Sequence, residues 1–77
     1  MNGRLPMVTA GEVVRALERA RFVVVRTAGS HHRLVHKNDP SRATTVSVHA
    51  GKTLKRGTVR GIIKQAGLTV EEFRGLL

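Results

Sequence analysis

Cysteine is absent from the 77-residue chain, and so are tryptophan and tyrosine. Without Cys there is no disulfide framework, no thiolate zinc site and no thiol nucleophile, a composition that suits a reducing compartment. The only aromatic side chains are Phe22 and Phe73, which leaves no stacking platform of the kind that sheet-based readers of single strands use. No apolar run approaches the ~20 residues that cross a bilayer, and the opening MNGRLP lacks the form of a secretory signal. These absences predict a cytoplasmic protein with no membrane partner. Acids are also scarce: 5 Asp and Glu stand against 14 Lys and Arg, for a net charge of +9. Between Arg19 and Val70 the only acid is Asp39.

What is present is aliphatic and basic. A chain this short supports one core, which Val, Leu, Ile and Ala must build, so a single domain over residues 9–77 is expected behind a flexible tail over residues 1–8. Met7 could serve as a second start, leaving Met1 to Pro6 dispensable. The cationic excess points to a polyanion, and nucleic acid suits it better than a membrane because the basic residues do not share one long amphipathic helix.

Thr9-Ala10-Gly11-Glu12 has the form of a capping box and precedes Val13, Val14, Leu17 and Ala20 at helical spacing, predicting a helix from about Ala10 to Ala20. Phe22 to Thr27 is β-branched and reads as a strand; Gly29-Ser30 turn the chain into a second strand from His31 to His36 or Lys37. After the loop signal Asn38-Asp39-Pro40-Ser41, Thr44 to His49 alternates cleanly as a third strand, completing an antiparallel meander. Val59, Ile62, Ile63 and Ala66 mark a second helix with Gly67 just beyond its end. Thr69 to Glu72 repeats the capping box and opens a short terminal helix. The fold class is therefore α+β, in the order α-β-β-β-α, with a three-stranded antiparallel sheet, helices on one face and a short C-terminal helix.

Three of the four histidines fall in His31 to His36. Strand alternation places His31, Arg33 and Val35 on one face and His32, Leu34 and His36 on the other. If Leu34 joins Val46 and Val48 in the core, His31 and Arg33 stand on the open face with His49; pattern alone also permits Val35 inward. An exposed His31 is a candidate general acid or base, since imidazole exchanges protons near neutrality, and its alternative is a surface histidine with no role. A metal site would need three or four ligands, and the only acid near the histidines is Asp39, so no metal or other cofactor is expected. Lys52, Lys55, Arg56, Arg60 and Lys64 form an acid-free segment at and beyond the start of the second helix, where unpaired N–H groups already favour phosphate. Such contacts give affinity without sequence readout.

Gly29-Ser30-His31-x-x-Leu34, Val46-Ser47-Val48-His49 and Lys52-x-Leu54-Lys55-Arg56-Gly57-Thr58-Val59-Arg60 through Leu68 together resemble the HicA family of small toxins. The resemblance spans Thr9 to Leu77. It departs at Leu34, where the family often has an aromatic, and at Ser47, where it often has Pro. It implies a fold similar to a double-stranded-RNA-binding domain, which favours Leu34 inward. It also implies an mRNA interferase in which His31 is the catalytic histidine, Gly29 and Ser30 shape its turn, and a HicB-type antitoxin is the partner.

The expected reaction is metal-independent cleavage of mRNA, with His31 as base, His49 or a water as an auxiliary, and Arg33, Lys52, Lys55, Arg56, Arg60 and Lys64 holding the RNA. The main rival is a non-catalytic RNA-binding module. A DNA-binding regulator ranks last, because helix-turn-helix spacing is absent and the second helix is rich in Gly.

Overall fold

The computed structural model describes residues 4–77. A two-residue strand β1 (Val8–Thr9) leads into helix α1 (Ala10–Arg19), and strands β2 (Phe22–Ala28), β3 (His31–His36) and β4 (Ala43–Ser47) follow. A second two-residue strand, β5 (Thr53–Leu54), precedes helices α2 (Arg56–Gln65) and α3 (Val70–Gly75). Strands β2, β3 and β4 form an antiparallel sheet in that order, and β1 pairs antiparallel with β5. The fold is α+β with the expected three-stranded sheet, and it is compatible with a double-stranded-RNA-binding-domain-like architecture.

The local signals explain the helix ends. Thr9 and Thr69 each accept a hydrogen bond from the N3 backbone, while Glu12 and Glu72 reach back to the cap backbone, so both capping boxes close. Helix α2 ends on Gly67 at φ 74, with Gly67 N–H donating to Lys64 O and Leu68 N–H to Ile63 O, the paired bonds of a Schellman stop. A Cβ at Gly67 would also stand 2.9 Å from Arg42 Nε. Helix α1 is followed by Arg21 in the left-handed region, at φ 73, although no glycine marks that turn.

The core lies between the helices and one face of the sheet, and Leu34, Val46, Val13, Leu17, Val59 and Phe73 are all buried in it. Leu34 is 0% exposed, which decides between the two faces of β3. Thr44 is buried beside it and donates its hydroxyl to Gln65 Oε1 at 2.7 Å. That contact places the C-terminal end of α2 beside the start of β4.

Two expectations require correction. Residues 5–8 are not a tail: Leu5 is fully buried, Val8 pairs with Leu54, and Arg56 Nε donates to Leu5 O at 2.7 Å. Two-residue strands carry no periodicity, so this non-local pairing leaves no mark in the sequence; residues 1–3 of the expected tail lie outside the described residues. The third strand stops at Ser47 rather than His49. Val48 N–H instead donates to Ser30 O at 2.8 Å, drawing the chain across the β2–β3 turn.

Candidate active site

Strand β3 distributes the histidines by alternation. His32 is half-buried, and its Nδ1 lies 3.1 Å from Ser30 O, a bond that ties the imidazole to the turn before it. His36 meets Phe22 edge to face at 5.1 Å, and its Nδ1 accepts from Asn38 N–H at 3.1 Å. Both therefore hold the scaffold. His31 points to the open face, exposed, at the mouth of a turn whose Gly29 adopts φ 58, a conformation that suits glycine far better than a residue with a Cβ.

Around His31 the open face is concave. Arg26, Ala28, His31, Arg33 and Thr45 line a depression of about 250 Å³, smaller than the ~300–1,000 Å³ of enclosed small-molecule sites and suited to a short part of a longer ligand. No acid lines it. Arg33 is held against the sheet by its Nη1 donating to Thr45 Oγ1 at 3.2 Å, and His31 and Arg33 sit opposite Ser47 and Thr45 across β4.

Arg26 is the residue that alternation does not find. Counted from buried Phe22, positions 24 and 26 belong on the core face, and a strict strand would turn Arg26 toward the helices. The register shifts between Val24 and Arg26: Val24 opposes Leu34, Arg26 opposes Arg33, and Val25 has no opposite residue. One extra residue reverses every later side chain. Arg26 and Ala28 thus join His31 and Arg33. A bulge in an all-Val run has no glycine or proline to announce it.

The basic segment is divided. Lys52 and Lys55 are exposed before α2, and Lys55 is its N-cap without a side-chain cap bond. Neither is among the residues lining the His31 depression. Arg56 is committed to Leu5 O, while Arg60 and Lys64 flank a separate groove with Ile63, Leu68 and Val70, between α2 and α3. His49 is exposed past the end of β4 and is not among the residues lining the His31 depression. Among the described residues no group of three or more His, Asp or Glu could hold a metal ion, and no helix is long and apolar enough to cross a membrane.

Set against known proteins, residues 10–68 match the family model described as HicA toxin of bacterial toxin-antitoxin. The match covers both larger helices, the whole sheet and the His31 depression. No curated protein matches the chain.

Proposed function

The chain belongs to the HicA toxin family of toxin-antitoxin systems, and from that premise we propose that it is a metal-independent endoribonuclease acting on mRNA, with His31 as its catalytic base and an acidic antitoxin of HicB type as its inhibitor. Family membership carries the toxin role and implies an antitoxin as partner protein. One observation supports the chemistry: an exposed imidazole stands in an acid-free concavity beside guanidinium groups.

In this reaction His31 takes the proton of a ribose 2′-OH as the oxygen attacks the adjacent phosphorus. The new 2′-O–P bond forms while the P–O5′ bond breaks, and the leaving 5′ oxygen takes a proton from water. Arg33 neutralises charge on the phosphoryl oxygens, while Lys52 and Lys55 hold the backbone to one side. The products are a 2′,3′-cyclic phosphate and a 5′-hydroxyl. Arg60 and Lys64 contribute more distant contacts, and Arg56 acts chiefly by anchoring the N-terminal segment.

The purified protein is expected to cleave single-stranded RNA in EDTA and to leave cyclic-phosphate ends. His31→Ala should slow cleavage by about 10²–10⁴-fold, the usual worth of one positioned base, with RNA affinity and melting temperature unchanged because the side chain is exposed. Binding without cleavage by the unaltered chain would instead support a non-catalytic RNA-binding module. Cleavage that survives His31→Ala removes His31 from the mechanism.

A further inference from the structure

Arg26 and Arg33 are direct cross-strand neighbours on the open face of the sheet. Like charges placed opposite one another in a ladder destabilise it, and no acid lines the depression to compensate. Arg33 at least has Thr45 Oγ1 as a partner. The arrangement is also reached by a departure from regular pairing, because only the extra residue at Val25 keeps Arg26 off the core face. A pair that opposes the stability of the sheet, held in place by a bulge and set beside an exposed imidazole, is what an anion would complete.

We propose that Arg26 is a further catalytic residue, which with Arg33 clamps the phosphate that the ribose 2′-oxygen attacks once His31 has taken its proton, and neutralises the charge developing on its two non-bridging oxygens. Guanidinium groups suit this task because their planar donor forks match phosphoryl oxygens. Arg26 transfers no proton, and the bonds made and broken are those of the cleavage above. The assignment rests on the nuclease reading for its catalytic part and on geometry alone for its anion-binding part.

Two measurements on the full chain test it separately. The first is the thermal shift produced by inorganic phosphate at low ionic strength: Arg26→Gln should lose most of it, and Arg15→Gln, which removes an exposed charge from α1, should keep it. The second is steady-state cleavage of an RNA oligonucleotide, where Arg26→Gln should lower kcat by about 10²-fold, the scale of losing one transition-state donor, with KM little moved and partial recovery in Arg26→Lys. Without phosphate, Arg26→Gln should melt at or above the wild-type temperature, since a like-charge pair is relieved. A wild-type phosphate shift and kcat in Arg26→Gln would overturn the proposal, as would activity lost only in step with a lowered melting temperature. If no RNA is cleaved yet the phosphate shift still depends on Arg26, the nuclease reading fails and the anion site stands.

Discussion

The two sides of the sheet use the same residue types for opposite ends. On the helix side, guanidinium groups terminate on main-chain carbonyls: Arg19 on Leu76 O, Arg42 on Ala66 O and Arg56 on Leu5 O, each at 2.7 Å. The imidazoles there are also committed, His36 to Phe22 and Asn38, His32 to the Ser30 carbonyl. On the open side, Arg26, Arg33 and His31 line one depression without an acid. Net charge therefore overstates the cations available to a polyanion, because several of them are fasteners for helix ends and the N-terminal segment. The contrast teaches that position relative to the core, not residue type, separates scaffold from site, and it implies that changes on one side should be read as stability and changes on the other as chemistry.

The largest stability effect expected on the helix side is at Leu5. Its side chain is fully buried, and its carbonyl receives Arg56. Truncation of a buried Leu costs about 2–5 kcal/mol, so Leu5→Ala should shift the urea midpoint strongly downward, and a chain begun at Met7 should lose at least as much. A shortened chain that unfolds at the wild-type midpoint would return residues 4–6 to the status of a tail.

A sharper test compares neighbours in one strand. His36→Ala removes an edge-to-face aromatic contact and leaves Asn38 N–H without its acceptor, together worth about 1–2 kcal/mol. It should lower the unfolding midpoint while leaving kcat for RNA near wild type, the reverse of His31→Ala. Equal behaviour of the two variants, in either assay, would mean that the faces of β3 are not functionally distinct.

How much of this could be read from sequence follows the same division. Both capping boxes, the Gly67 stop and the alternation of β3 and β4 are local signals, and each corresponds to an element in the structure because neighbouring residues decide it. The identity of the inward face needed a choice between Leu34 and Val35, which burial of Leu34 settles. What stayed illegible is non-local. The β1–β5 pair joins residues more than forty positions apart through two ladder positions, and the bulge at Val25 is set by the register against β3 rather than by any turn-forming residue. That bulge hides Arg26 from strand alternation, and His49 lies two residues past the end of β4, where alternation no longer sets its direction.

The smallest effect on stability is expected from the three carboxylates that cap or brace the scaffold. Glu12 and Glu72 have pKa values lowered from 4.5, first by the backbone hydrogen bonds at Thr9 and Thr69 and then by the threonine hydroxyls. Asp39 is lowered from 3.8 chiefly by the Ser41 hydroxyl, which donates to it at 2.6 Å. A carboxylate whose folded pKa is depressed contributes stability that is fully present above its unfolded value and is lost as pH falls through the folded one. The melting temperature should therefore be insensitive to these three groups above about pH 5 and decline below 4.5, with Glu12→Gln and Glu72→Gln flattening the decline. All three carboxylates are solvent-exposed, so the loss is small. None of them lines the His31 depression, and phosphate binding to Arg26 and Arg33 should be the same in the two Gln variants as in the wild type; a change there would show that the capping boxes position the site as well as the helices.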